Sequence, residues 1–266
     1  MFRIRIRSFL LPALLVLSSC SIKEDRSGCP CLLTVDLTKV LDTGITPPSW
    51  WDRGLTLVLY SGDREFDRMD CRYEEARPEY EFKVPKGDVG VSGILGLSAG
   101  TLSGRAVRYP EGVESDRLFV SGQTVACYGE TARAVLEMNK QFSQVEIAGL
   151  ETFDERMEVT AGSSGLDVLT CEALEGRFRF PLACGDDGLC RFRMPRQQTD
   201  DLMILMYDGS GRLDNSIPLG KYLTAIGYDW TAPSLADVSI RIDYVAASIQ
   251  IVVGDWTEVF EFPYVL

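Results

Sequence analysis

From Val238 to Tyr244 the chain alternates without a break: Val238, Ile240, Ile242 and Tyr244 are apolar, and Ser239, Arg241 and Asp243 between them are polar. Successive side chains of an extended strand point to opposite faces, so this pattern sets one face on a core and the other in water, which a helix cannot do with it. The same period returns along most of the chain. Leu33, Val35 and Leu37 alternate with polar neighbours, and Leu55, Leu57 and Leu59 follow, closed by Ser61-Gly62-Asp63. Then come Tyr80, Phe82 and Val84, a turn at Pro85-Lys86-Gly87-Asp88, Val89 to Leu97, and apolar runs at Leu118–Val120, Val125–Tyr128 and Ala132–Met138. A second series holds Val145 and Ile147, Met157 and Val159, Leu166–Leu169, Phe178 and Phe180, and Phe192 and Met194 with Arg191 and Arg193 facing out. Leu202–Tyr207 is continuously apolar, as in a strand covered on both faces, and Ser248–Val253 and Trp256–Phe262 form a terminal hairpin across Gly254-Asp255. Only Leu219, Tyr222, Leu223 and Ile226 keep helical spacing, which predicts one short helix. Roughly fourteen short strands punctuated by turns predict an all-β fold of sandwiches or barrels, too many for one small sandwich. Two tandem β-sandwich domains, 29–139 and 140–266, are the economical division, with the joint at Asn139-Lys140-Gln141.

Ahead of the first strand, Arg3, Arg5 and Arg7 precede an apolar stretch from Phe9 to Leu17, too short to span a bilayer and of the length of a secretory signal. It ends in Leu17-Ser18-Ser19-Cys20, which resembles the lipobox of bacterial lipoproteins. That resemblance implies that residues 1–19 are removed and that Cys20 carries fatty chains such as palmitate. Several chains are needed for firm anchoring. Residues 20–28 are then a lipidated tether. Lys23-Glu24-Asp25 resembles a surface-export tag of some Bacteroidetes lipoproteins, and a solvated linker explains the same residues equally well.

The chain has no histidine, so Ser-His and Cys-His nucleophiles are excluded and general acid-base and imidazole metal chemistry lose their commonest residue. We therefore expect no enzyme, no cofactor and no metal. The formal charge is −12, and removal of the three leader arginines makes it −15, a field that repels nucleic acid. Of eight cysteines, Cys184 and Cys190 bracket the turn-forming Gly185-Asp186-Asp187-Gly188-Leu189 and are the expected local disulfide. Cys29-Pro30-Cys31 is too tight for a zinc knuckle.

Several pieces, in order, resemble the fimbrillin-associated anchor proteins of the Bacteroidales, the lipoprotein subunits at the base of type V fimbriae. They are the lipobox cysteine, Asp25-Arg26-Ser27-Gly28-Cys29-Pro30, the Lys86-Gly87 turn, Ile217-Pro218-Leu219-Gly220-Lys221-Tyr222-Leu223, and Ile251-Val252-Val253-Gly254-Asp255-Trp256. A departure is the strand after Lys86-Gly87, which reads Val89-Gly90-Val91-Ser92-Gly93 where such proteins carry aromatic residues. The resemblance implies two transthyretin-like or Ig-like β-sandwich domains, a place on the cell outer membrane facing outward, and pairing with strands of neighbouring fimbrial subunits in cell adhesion.

For such pairing the candidate residues are Ile249, Ile251, Val253, Trp256, Phe260 and Phe262, in an apolar, β-prone end of the chain. An ordinary paired hairpin is the competing account of the same residues. The rival function is a surface lipoprotein that binds a glycan or other ligand, with Trp50 and Trp51 as a stacking platform, although both could instead plug one end of the first sandwich. Asp208-Gly209-Ser210-Gly211-Arg212 has oxygen ligands near calcium-loop spacing but lacks a closing glutamate, so a hairpin turn is expected. Glu111, Glu114 and Asp116 read as a solvated acidic loop.

Overall fold

A computed structural model describes residues 29–41, 54–150, 156–243, 248–254 and 256–261, and for Trp256 and Glu261 the backbone alone. The leader, Cys20, Trp50, Trp51 and Phe262 lie outside the described residues. The first half runs β1 (Cys31–Asp36), a single helical turn α1 (Thr38–Leu41), β2 (Gly54–Ser61), β3 (Arg64–Arg72), β4 (Glu79–Val84), β5 (Asp88–Leu95), β6 (Thr101–Ser103), β7 (Ala106–Arg108), β8 (Phe119–Ala126), β9 (Thr131–Val135) and β10 (Asn139–Lys140). The second runs β11 (Phe142–Ala148), β12 (Met157–Asp167), β13 (Ala173–Leu182), β14 (Leu189–Pro195), β15 (Met203–Tyr207), β16 (Leu213–Ile217), helix α2 (Leu219–Ala225), β17 (Val238–Asp243), β18 (Ser248–Val253) and β19 (Trp256–Glu261).

The strands build four sheets, ordered β4-β1-β9, β10-β8-β5-β2-β3, β14-β11-β17-β18-β19 and β16-β15-β12-β7-β6, with β13 also paired to β12. Alternation dictates what each sheet buries. Leu33 and Val35 of β1 and Leu55, Leu57 and Leu59 of β2 meet in one core between the first two sheets. Val145, Ile147, Val159, Phe178, Phe192, Ile240, Ile249 and Ile251 meet in another between the last two. Both are β-sandwiches, and helix α2 lies where the helical spacing predicts it. The Cys184–Cys190 disulfide forms at the second core.

The two halves interlock. β7 comes from the first half, yet it pairs with the far end of β12, Leu166 opposite Val107. In return the turn after β12 lies on the outer face of the second sheet. There a third apolar cluster gathers Val58, Tyr60, Ile94 and Val120 from the first half around Leu166 and Val168 from the second. The second sheet is thus covered on both faces, which is why β5 is buried from Val89 to Leu95. It also explains Val89-Gly90-Val91-Ser92-Gly93. A Cβ on Gly90 would stand 2.9 Å from the Leu169 side chain, and one on Gly93 would stand 2.7 Å from Leu136 and Met138. A Cβ on Gly122, cross-strand from Ser92, would stand 2.2 Å from the Leu169 carbonyl oxygen. Ser92 Oγ donates to Val168 O at 2.9 Å. Aromatic side chains have no room where the β12–β13 turn docks.

Several expectations are corrected. The runs Leu118–Val120 and Val125–Tyr128 are not two strands: Phe119–Val120 and Val125–Ala126 belong to one strand, β8, because the small and polar residues between them pair along β5. Leu166 ends β12 instead of opening a new strand; two register shifts near Ser163 carry the long strand from one partner set to the next. β15 is not covered on both faces: Ile204 and Met206 are buried, while Met203, Leu205 and Tyr207 are half-exposed. Arg193 does not face out. Its Nε donates to Ser115 O at 2.9 Å and its guanidinium pairs with Glu114. The 111–116 loop is solvated only at its start: Glu111 is exposed and Glu114 half-buried, but Asp116 is 4% exposed and its carboxylate accepts from Ser98 N, Ser98 Oγ, Ala99 N and Gly100 N at 2.7–3.1 Å. Acidic residues in a loop signal solvation only when no backbone donors converge on them.

Candidate docking edge and junction cavity

The terminal strands β17, β18 and β19 form an antiparallel meander ending the third sheet. Ile249 and Ile251 are 1% and 0% exposed and face the second core, as their period of two requires. Phe260 stands opposite Ile249, and its ring lies 5.0 Å from that of Tyr222 on α2. Val253 is half-buried against the same core. Trp256 closes the hairpin opposite Val253 in the backbone register. Ile249, Ile251, Val253 and Phe260 are therefore brought together, and the hairpin is paired within the chain. β19 is the last strand of its sheet, so one row of its backbone groups has no partner strand among the described residues. Val259, facing away from the core, is 58% exposed.

A second concave feature lies where the halves meet. A cavity of about 710 Å³ is lined by Asn139 and Gln141 at the joint, by Cys171 and Glu172 in the β12–β13 turn, and by Arg196 to Gln198 and Trp230 to Pro233. Arg196 is 4% exposed. Its Nε and Nη2 donate to Gln141 Oε1 at 3.1 and 2.9 Å, Nη2 also reaches the Ala232 and Pro233 carbonyls, and Nη1 reaches the Trp230 carbonyl. No carboxylate among the described residues forms an ion pair with it, and burial pulls the guanidinium below its ordinary value. The Trp230 indole N–H has no acceptor among the described residues. Cys171, beside it in the cavity wall, holds a φ of 59°, the left-handed region that side chains rarely adopt. Nothing in the sequence signals this site. A single arginine after a proline and a tryptophan in a Thr-Ala-Pro loop carry no spacing that would connect them.

Two further carboxylates are held by the fold. Asp36 accepts from Thr38 N at 2.8 Å, starting α1, and from Arg133 at 2.7 Å. Hydrogen bonds from Thr38 and then Arg133 hold its carboxyl at about 2. Burial raises the Glu158 carboxyl, but bonds from Arg179, Arg156 and Tyr207 outweigh it and hold the group below its usual range. Asp208 Oδ1 takes Ser210 N, Ser210 Oγ and Arg212 N at 2.6–3.0 Å, so the 208–212 segment is the hairpin turn between β15 and β16. Among the described residues no group of three or more Cys, Asp or Glu is placed to hold a metal ion. No helix among them is long and apolar enough to cross a membrane.

These features define an all-β module of interlocked sandwiches with a strand edge unpaired among the described residues and a polar junction cavity. The fold is shared with solved proteins of Bacteroidales. One is a candidate polysaccharide-binding protein of Bacteroides thetaiotaomicron, with TM-score 0.62 and 13% identity over 87% of this chain and 98% of that one. Another is the fimbrial anchor protein Mfa2 of Porphyromonas gingivalis, with TM-score 0.57 and 10% identity over 86% and 99%. A candidate adhesin of Bacteroides ovatus gives TM-score 0.56 and 15% identity over 91% and 98%. No protein-family model matches the sequence, and no curated protein matches it.

Proposed function

We propose that the chain is an outer-membrane lipoprotein, tethered through Cys20, that serves as an anchor or accessory subunit of a type V-like fimbria in cell adhesion. The observation that carries this reading is the shared fold with a fimbrial anchor over nearly the full length of both chains. The division into domains 29–139 and 140–266 belongs to the same reading, as does an outward-facing position. The mechanism is mechanical. Lipid holds the N-terminus, and β19 offers its outer row of backbone groups to a strand of the next subunit, with main-chain hydrogen bonds giving affinity and side chains at every second position giving register. Ile249, Ile251 and Phe260 serve this edge by seating it on the core.

Cys20→Ala tests the tether: the protein moves from the membrane to the soluble fraction, and retention in the membrane refutes lipid anchoring. Val259→Lys tests the edge, since a charge there opposes strand addition while leaving the core untouched. Capture of fimbrial polymer by the purified protein should fall at least tenfold with an unchanged melting temperature; undiminished capture excludes β19 as the docking strand.

A second reading, a glycan- or ligand-binding surface lipoprotein, is favoured by the junction cavity and by the candidate polysaccharide-binding neighbour. Trp50→Ala with Trp51→Ala, and separately Trp230→Ala, would then abolish retention on immobilised polysaccharide, whereas under the fimbrial reading all three leave polymer capture intact.

A further inference from the structure

Two thiols meet in the first core without a role in the reading above. Cys31 opens β1, Cys127 follows the end of β8, and both are 0% exposed in the same apolar cluster. Three backbone contacts fix their approach. Cys31 stands opposite Val84 in the β1–β4 pair. Just past Val84, Gly87 and Cys127 exchange both backbone hydrogen bonds, at 2.8 and 3.4 Å. Leu32 N, the next residue after Cys31, donates to Glu130 O at 2.8 Å, so the chain leaving Cys127 runs back alongside β1. The two side chains thus share the corner at which the chain passes from the second sheet to the first. Burial pushes the Cys127 thiol up to about 11, and the adjoining Cys31 thiol pushes in the same direction through charge and a side-chain hydrogen bond. That environment disfavours the Cys127 thiolate. It also accommodates an uncharged disulfide in an apolar core.

We propose that Cys31 and Cys127 are joined by a second disulfide, formed while the chain folds, beside the Cys184–Cys190 bond. In the unfolded chain both thiols have ordinary acidity, and one thiolate attacks the disulfide of a dithiol–disulfide oxidant in the folding compartment. The mixed disulfide is then displaced by the second thiol. Two protons and two electrons leave with the oxidant, which ends as the dithiol. The bond closes a loop on the order of 100 residues, and the restriction a cross-link places on the unfolded chain grows with the loop it closes. Its position also suits a tethered protein. β1 is the first strand after the 20–28 segment, and a pull on that segment enters the fold at Cys31 and passes through sulfur directly to the second sheet.

The proposal rests on the export reading, and peptide mapping separates the two. Full-length protein is harvested into an alkylating agent, denatured, digested without reductant and analysed by mass spectrometry. A linked pair of peptides carrying Cys31 and Cys127 is the expected result. Alkylated Cys31 and Cys127 beside an intact Cys184–Cys190 link overturn this proposal alone. Alkylation of all four overturns the export reading with it. As a second measurement, in the Cys184→Ala/Cys190→Ala background reductant should lower the melting temperature on the order of 10 °C, and Cys127→Ala should abolish that response. A melting temperature indifferent to reductant before Cys127 is changed refutes the bond.

Discussion

Gly122→Ala is the change that most directly tests how the two halves are held together. The added Cβ would stand 2.2 Å from Leu169 O, 2.5 Å from Val168 O and 2.6 Å from the Leu169 carbonyl carbon. All three are backbone atoms, so no rotamer change relieves the clash, and the β12–β13 turn must retreat by roughly 1 Å to reach ordinary contact. That retreat strains the bond from Ser92 Oγ to Val168 O at 2.9 Å and the one from Val168 N to Arg105 O at 2.8 Å. Overpacking of this kind costs about 1–3 kcal/mol, and a weakened buried hydrogen bond adds about 1 kcal/mol. A total of about 2–4 kcal/mol corresponds to a melting-temperature loss of roughly 5–15 °C for a chain of this size. Thermal unfolding followed by circular dichroism reads it. Gly129→Ala is the internal control, since its Cβ meets nothing closer than 3.5 Å and its φ is ordinary; it should leave the melting temperature unchanged or slightly raised. Ser92→Ala alone should cost about 1 kcal/mol and add little to Gly122→Ala, because the first change has already spoiled that bond. A Gly122→Ala protein that melts with the wild type, or full additivity with Ser92→Ala, would show that the turn does not bear on the second sheet as described.

Other outcomes are equally specific. Asp116→Ala removes the acceptor of three backbone N–H groups and one hydroxyl, and urea denaturation should show a loss of about 2–4 kcal/mol, with Asp116→Asn losing less; equal losses would mean that the charge, not the geometry, is what the loop needs. Asp36 has its carboxyl lowered from 3.8 to about 2 in the folded protein, so its stabilisation is fully present above the unfolded value and is lost as pH falls from about 4 through about 2. Asp36→Asn should flatten the acid limb of the stability curve in that window, and an unchanged slope would exclude the Thr38 and Arg133 bonds as its cause. Trp230→Phe keeps the ring beside Tyr228 but removes an indole N–H that has no acceptor among the described residues, so urea denaturation should show it neutral or stabilising by up to about 1 kcal/mol; a clear loss would reveal a partner for that N–H.

The fold is legible in the sequence wherever the physical signal is local. Period two is a property of neighbouring residues, so Leu33-Val35, Val145-Ile147 and Val238-Ile242 disclose their strands and their buried faces by themselves. The Cys184–Cys190 link is legible for the same reason, because its turn lies between the two thiols. The junction cavity is not. Arg196, Trp230, Cys171 and Gln141 come from four separate segments: the β11–β14 pairing sets Gln141 beside Arg196, Arg196 bonds the Trp230 carbonyl, and the β12–β13 turn brings Cys171 to the same wall. β7 likewise has three residues and no pattern of its own; it is a strand because β12 is there to pair with it. Charge alone misplaces Arg193 and Asp116 at the surface, since the partners that bury them sit on distant segments.

The glycines of β5 and β8 carry an argument about load. Two sandwiches joined only by the short joint at 139–141 would hinge, and a pull along the chain would fall on that peptide. Here the first half lends β7 to the fourth sheet, and the second half sets Val168 and Leu169 on Gly90, Ser92 and Gly122 of the second sheet. Separation of the halves therefore requires the β7–β12 ladder, the third apolar cluster and the Ser92 bond to give way together. Small residues at those three positions exchange side-chain packing in one sheet for a rigid connection between two, a poor trade for an isolated domain and a sound one for a load-bearing subunit of the kind proposed above. If so, Gly122→Ala should lower the force at which single tethered molecules extend, in atomic-force pulling, even at a temperature where the variant is fully folded. Equal rupture forces for variant and wild type would confine the interlock to equilibrium stability and remove it from the mechanical account.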